Sequence, residues 1–427
     1  MGAYPRFSKA LARGLAAPAA ILIALLLVTP AARGDEGGVR LGKGVTLDAY
    51  VQGQYESHQD SEDELRQGAL PLNQDRFLVR RARLRLAGEW NVAAAVLELD
   101  GNTVGPPAFG IRTAEGILQY RLEPHGPPLA AMSIGLMSTP FGIELSESQR
   151  DRVFMERSLM SRAFWPGEQD VGLRVYGGLK FMRWSFAALN GEPLDERNGF
   201  PGRDPNVSKD VVVRLGAEIA ATSALQIAGG MSALRGKGLH PGTDATKPRV
   251  DWRDLNEDGA IQTPELQAVP ASAATPSASF ERWAFGVHLA ASYTSSFGVT
   301  SLRSEAYVAQ NMDRNLFVAD PVTTGTDSRE LGVYLSAIQT IGRHGLAGFR
   351  YDFYDPNLDV FDKRSGRLVP FSQRIHTFSP LVGIVLPPHA RLTLQYDVIR
   401  DSLAKDARGV PTDFANDTWT LRLQVQL

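Results

Sequence analysis

The chain has no cysteine among its 427 residues. That excludes a disulfide framework and thiolate metal sites. Net charge is nearly absent as well, with 45 Lys and Arg against 47 Asp and Glu. No electrostatic basis for binding nucleic acid exists in such a balance, and no nucleic-acid partner is expected. Long apolar runs are missing beyond the N-terminus, and a mean hydropathy of -0.16 excludes a bundle of membrane helices. It leaves room for a membrane barrel, where lipid-facing and water-facing residues alternate and the average looks soluble. Sustained helical periodicity is also lacking.

What is present begins with the N-terminus. Arg6, Lys9 and Arg13 precede an apolar run from Leu15 to Val28, and Ala32-Arg33-Gly34 offers a small-x-small cleavage site. This pattern predicts an export signal over residues 1–34 and a mature chain over 35–427. The run is shorter than the ~20 residues a spanning helix needs.

The rest reads with period two. Sixteen strands are expected. Leu47 to Tyr55, Arg76 to Glu89, Asn91 to Asp100, Ile111 to Leu122 and Leu129 to Met137 come first. Val171 to Lys180, Phe181 to Asn190, Lys209 to Ala220, Ser223 to Leu234 and Phe280 to Thr294 follow. Phe297 to Asn311, Ser328 to Ile341, Gly345 to Asp355, Gln373 to Leu386, His389 to Arg400 and Asn416 to Leu427 complete the set. Within them one face is apolar: Leu421, Leu423 and Val425 alternate with Thr420, Arg422 and Gln424 in the last strand. Eight long polar loops are expected near 56–75, 101–109, 138–167, 191–208, 235–279, 312–327, 357–372 and 401–414, with short turns between them.

An even count of one-face-apolar strands with alternating short and long connections predicts a closed antiparallel outer-membrane barrel of sixteen strands. In lipid every backbone group must bond internally, so the polar face turns to a water-filled lumen. A β-sandwich would need helices or a second sheet to cover sixteen apolar faces. Trp283, Tyr293, Tyr351, Tyr396 and Trp419 near strand ends fit interfacial girdles.

Three segments carry a family resemblance: Phe77 to Trp90 (FLVRRARLRLAGEW), Gly135 to Glu144 (GLMSTPFGIE) and Ser148 to Leu159 (SQRDRVFMERSL). With them the chain resembles the phosphate-selective porin O and P family. The resemblance implies an anion channel lined by basic residues, often a homotrimer, with an inward-folded third loop. Arg81, Arg83 and Arg85 share the lumen face of one strand, and Arg150, Arg152 and Arg157 lie in the third loop. Guanidinium groups match phosphate oxygens bidentately, and rings of Arg favour anions in a pore. The loop also carries Glu144, Glu147, Asp151, Glu156, Glu168 and Asp170. Its mixed charge fits equally a salt-bridged network that rigidifies a constriction.

A second motif runs from Asp254 to Glu265 and satisfies the EF-hand calcium-loop template. Asp254, Asn256 and Asp258 would supply side-chain oxygens, Ala260 a carbonyl, Gln262 a direct or water-bridged contact, and Glu265 a bidentate carboxylate. The implied structural cofactor is Ca²⁺, held in the longest outer loop, 235–279, beside a low-complexity AVPASAATPSAS tether. Catalysis has no comparable signal. His288 and His376 lie on strands with no Ser/Asp constellation nearby in sequence, so no enzyme is expected.

The expectation is an exported outer-membrane porin for passive diffusion of small hydrophilic solutes, with anions such as phosphate favoured. Membrane lipid and lipopolysaccharide would surround it. The competing readings are a loop-plugged barrel acting as a calcium-dependent binding or adhesion protein, and a soluble secreted β protein.

Overall fold

The computed structural model describes residues 38–427 apart from 43, 60–65, 68–69, 72–73, 105–107, 123–126, 192–203, 205, 254–258, 365–366, 371–372, 406–407 and 409. The expected export signal therefore lies outside the described residues.

The first strands are β1 (Val45–His58), β2 (Asp75–Glu89), β3 (Ala93–Asn102), β4 (Ala108–Tyr120), β5 (Ala130–Ser138) and β6 (Gln169–Leu179). The chain continues with β7 (Met182–Leu189), β8 (Asp210–Ala220), β9 (Leu225–His240), β10 (Ala278–Ser295) and β11 (Gly298–Gln310). It ends with β12 (Arg329–Ile341), β13 (Gly345–Asp355), β14 (Ile375–Leu386), β15 (Ala390–Arg400) and β16 (Thr418–Gln426). Each strand pairs antiparallel with the next, and β16 returns to β1 in the register Tyr50↔Gln426. The result is a closed barrel of sixteen strands, with no open edge to satisfy. A short strand, Val39–Gly42, folds back onto the start of β1.

Alternation decides which way each side chain points. Phe77 is 82 % exposed while its neighbour Leu78 is 7 % exposed. On β8 Val211 and Leu215 face out while Val212 is buried, and on β16 Leu423 and Val425 face out while Arg422 and Gln424 are buried. The outward set forms an apolar belt around the whole barrel. Monomeric soluble proteins rarely leave an apolar surface of that extent to water.

Two of the sixteen barrel strands break the alternation among the described residues, and both of these breaks fall on arginines. In the β1–β2 register Gln52 faces Arg81 but Gly53 faces Val79, so Arg80 is the extra residue of a bulge. In the β3–β4 register Glu98 faces Thr113 but Leu99 faces Ile111, which leaves Arg112 extra. A bulge shifts the inward–outward alternation by one residue, so Phe77 and Val79 face out before Arg80, and Leu84 and Leu86 after it. Arg80 and Arg81 both reach the same carboxylate, Glu156.

The connection from β5 to β6 is tied to strands all around the barrel. Its short helix α1 (Leu159–Phe164) is N-capped by Ser158. Phe141, Leu145, Met160, Phe164 and Trp165 form one apolar cluster with inner-face residues of β7 to β13, including Leu189, Val212, Tyr307, Tyr334 and Tyr354. Phe141 meets Tyr307 edge-on with ring centroids 5.0 Å apart. Glu305 of β11 anchors the entry of the segment. Its carboxylate accepts the backbone N–H groups of Ile143 at 3.0 Å and Glu144 at 2.7 Å, and the hydroxyls of Tyr334 and Tyr307. Gly142 sits at φ 62, and a Cβ there would lie 2.0 Å from a Glu305 oxygen. Glycine is required on both counts.

The long outer connection differs from its expected form. β9 and β10 stay paired out to His240↔Ala278, so the expected loop 235–279 shortens at both ends. Beyond them Thr243 and Thr275 form a bridge, and Arg249–Trp252 pairs with Leu266–Val269. The Ala/Pro/Ser-rich flank is thus one side of a ladder rather than a free tether, because its backbone groups meet those of 243–252.

Candidate functional site

The inner wall at β2 places arginines at residues 76, 80, 81 and 83, two of them adjacent because of the bulge. Across from them stands Glu156, from the β5–β6 connection. Its carboxylate receives Arg80 Nε at 2.7 Å, Arg81 Nη2 at 2.9 Å and Arg422 Nη2 at 3.3 Å. Burial alone would raise this carboxyl. The Arg80 and Arg81 guanidiniums outweigh it and hold Glu156 well below the usual carboxylate range. Its own carbonyl accepts Arg350 Nη1 at 2.8 Å. Glu168, at the other end of the connection, bonds Arg112 and Gln149 and pairs with Arg157 Nε at 2.9 Å. It too is depressed, burial being overcome by Arg157 and Arg112.

These groups surround a cavity of about 490 Å³ on the long-loop side. Seven arginines line it: Arg76, Arg80, Arg81, Arg83, Arg112, Arg157 and Arg162. Four carboxylates oppose them: Glu56, Asp100, Glu156 and Glu168. The excess is three positive charges. A second cavity of about 310 Å³ shares Glu56, Glu156, Arg157 and Arg162 with the first. Arg162, on α1, makes no side-chain hydrogen bond or salt bridge among the described residues.

The six arginines expected from sequence do not form one free ladder. Arg81 is buried between Glu156 and Gln52, whose Oε1 accepts at 3.0 Å. Arg83 bonds Asp100 at 3.0 Å and also Gln149 at 2.6 Å. Arg85 is 44 % exposed in its side chain and lies 3.7 Å from Asp48, outside the large cavity. Arg150 pairs with Asp151 at 3.2 Å and Asp48 at 3.4 Å. Arg152 is buried, donating to the Glu144 carbonyl at 3.2 Å and lying 3.8 Å from Glu147 through its Nε. Arg157 braces the loop through the carbonyls of Ser161 at 3.2 Å and Trp165 at 2.9 Å. Most of these charges are thus compensated in place.

Sequence reasoning missed Arg80, Arg112, Arg162 and Arg422 as parts of this site. A signal exists for the first two. Phe77 and Val79 are out of phase with Ala82, Leu84 and Leu86, and Phe109 and Ile111 with Leu118 and Tyr120. A one-residue slip in the apolar phase marks a bulge.

Of the calcium motif, Asp254, Asn256 and Asp258 lie outside the described residues. Ala260 is described, Gln262 caps a 3-10 turn at Thr263–Glu265, and Glu265 is buried. The Glu265 carboxylate accepts Trp252 Nε1 at 3.1 Å and the Gln262 N–H at 3.3 Å. Strands, not helices, close the loop on both sides, through Trp252↔Leu266.

No protein-family model matches the chain, and no curated protein matches it in sequence. Solved structures match in shape. The outer membrane channel DcaP of Acinetobacter baumannii is 9% identical, with 92% of this chain and 100% of that chain covered and a TM-score of 0.54. An anion-selective porin from Comamonas acidovorans is 11% identical over 90% of this chain and 98% of its own, with a TM-score of 0.51. OmpT, an outer membrane protein of Vibrio cholerae in its trimer form, is 8% identical over 90% and 99%, at 0.51. What is held in common at such identities is the fold, a closed antiparallel barrel of the kind that outer-membrane porins have.

Proposed function

We propose that the chain is an outer-membrane porin through which small hydrophilic solutes diffuse passively, anions such as phosphate ahead of cations. The arginine excess around the long-loop cavity carries this reading. A guanidinium offers a planar fork of donors to phosphate and carboxylate oxygens and stays charged at every physiological pH. In this reading the β5–β6 connection folds inward as a constriction. Its bonds to Gln52, Glu305, Asp352, Gln395 and Arg422, on β1, β11, β13, β15 and β16, support that placement. The constriction shapes the path, and the arginines not fully compensated by carboxylates supply the field. Homotrimers embedded in lipid and lipopolysaccharide are the proposed assembly, in keeping with the trimer form of one structural neighbour. No catalytic role is proposed.

Reversal potentials under a KCl gradient test the anion preference. A potential of anion-selective sign is expected, and a cation-selective channel would overturn it. Silence in planar bilayers would favour the plugged, adhesive barrel instead.

For the motif at 254–265 we propose a structural Ca²⁺ site that stiffens the outer hairpin. Support comes from the hairpin that closes the loop at both ends and from the buried Glu265 carboxylate. Calorimetric titration with Ca²⁺ should show binding by the wild type and loss in Glu265→Ala. Equal heats from the two proteins would remove the site.

A further inference from the structure

A third cavity lies on the other side of the β5–β6 connection, toward the short turns. It holds about 350 Å³, within the ~300–1,000 Å³ typical of small-molecule sites. Its walls come from inner-face residues of β6 to β10, and its roof from Pro140, Ile143 and Ser146. None of its lining residues appears in the cavities on the long-loop side.

Its charges are unevenly matched. Arg174 is spent on Glu115 at 2.9 Å and stacks over the Tyr176 ring at 4.5 Å. Arg183 is held by Glu218 at 3.1 Å. Arg214, between them on β8, makes no side-chain hydrogen bond or salt bridge among the described residues. Two further lining side chains have polar atoms without a partner. Ser185 is 8 % exposed and His288 7 % exposed, and Ser185 Oγ and His288 Nδ1 make no hydrogen bond among the described residues. Buried polar atoms in native proteins almost always find a partner, so two such atoms beside an unpaired, half-buried guanidinium mark a place for a polar ligand. The imidazole has room because Gly216 and Gly230 lie beneath it. A Cβ on Gly230 would come within 2.9 Å of His288 Cε1. The rest of the lining is mostly apolar, with Pro140, Ile143, Ala228 and Ala290, and also holds Ser146, Tyr176 and the Glu218 carboxylate that pairs with Arg183.

One uncompensated guanidinium with a hydroxyl and an imidazole beside it suits a single small anionic group. The apolar remainder suits a compact hydrocarbon body. We infer that this cavity is a binding site for organic monocarboxylates, the carboxylate on Arg214, Ser185 and His288 and the body against Ala228, Ala290 and Ile143. Inorganic phosphate, with no apolar body and a higher charge, fits it less well. The site deepens the reading of the barrel as a solute channel and would bind a solute on its way past the β5–β6 connection.

The test uses the folded full-length protein in detergent, with benzoate, acetate and inorganic phosphate as probes in calorimetric titration. Benzoate is expected to bind at least tenfold more tightly than acetate or phosphate. Arg214→Gln should weaken benzoate at least tenfold, Arg214→Lys less, and Ser185→Ala a few-fold. Ala290→Leu, which fills the apolar end, should weaken benzoate while leaving acetate unchanged. Absence of benzoate heat in wild type, or equal binding by wild type and Arg214→Gln, overturns the site. Equal loss of acetate and benzoate in Ala290→Leu overturns the assignment of the body. Bilayer conductance is read separately. A conducting barrel that ignores benzoate refutes only this site, and a silent barrel that binds benzoate refutes only the channel.

Discussion

The inner wall of the barrel has two contrasting regions. From β7 to β13 it presents Leu189, Val212, Tyr307, Tyr334 and Tyr354 to the aromatic side chains of the β5–β6 connection. From β1 to β4, and again at β16, it presents Arg80, Arg81, Arg112 and Arg422 to Glu156 and Glu168 of the same connection, and Gln52 and Arg83 to its Gln149. The first region is a core, with rings in edge contact and a buried carboxylate satisfying four donors. The second borders open volume and keeps an excess of positive charge. One segment therefore does two jobs through its two flanks. Its apolar flank packs into the core cluster, and its charged flank faces the arginine-lined cavity.

This division is testable by substituting on one flank and reading both properties. The largest effect is expected from Glu305→Ala. It strips an acceptor from the N–H groups of Ile143 and Glu144 and from two tyrosine hydroxyls. Unsatisfied buried donors cost about 1–3 kcal/mol each, so a loss on the order of 3–5 kcal/mol is expected in denaturant unfolding of the detergent-folded barrel. Single-channel conductance should rise as the connection loosens. Wild-type stability in this variant would deny the anchor.

Phe164→Ala comes next. The ring is fully buried against Tyr354 and Trp165, and its removal should cost about 3 kcal/mol. Ion selectivity should hold. If it moves as much as in the variant below, the two flanks are not separable.

Glu156→Gln removes the carboxylate that three arginines share. Anion over cation permeability should increase about threefold or more, read from reversal potentials, since uncompensated arginines in a pore favour anions. Stability should also fall, because the guanidiniums lose their partner. Unchanged selectivity would mean that Arg80, Arg81 and Arg422 are purely structural.

The smallest expected effect is a null one in pH. Glu156 is held well below its ordinary value of 4.5, and a depressed carboxyl contributes its stabilisation fully above that value. The contribution is lost only as pH falls through the folded-state value. Selectivity should therefore be flat from about pH 8 to pH 5. A step within that window would place a different group in control.

Much of this was legible before the structure. The strand set, its faces and its long and short connections follow from period-two alternation, which each strand carries within itself. Strand ends were less legible. β9 runs on to His240 because β10 continues to pair with it, which depends on the partner and not on β9's own pattern. The site was legible in kind but not in membership. Arg81 and Arg83 were placed on the inner face, yet their partners Glu156 and Asp100 lie 75 and 17 residues away in the chain. Arg422, reaching Glu156 from the last strand, is 266 residues distant.

The sequence by itself determined the barrel. Alternation in each strand is a local property, and an apolar outer face with no second layer to cover it has one stable closure. Only the tertiary structure decided the electrostatics. Whether an arginine is a free charge or half of an ion pair depends on which carboxylate the closed ring brings opposite it. Arg81 and Arg214 read alike in sequence, each an inward-facing arginine on a strand. Closure gives Arg81 a partner in Glu156 and leaves Arg214 at a cavity with no ion pair among the described residues.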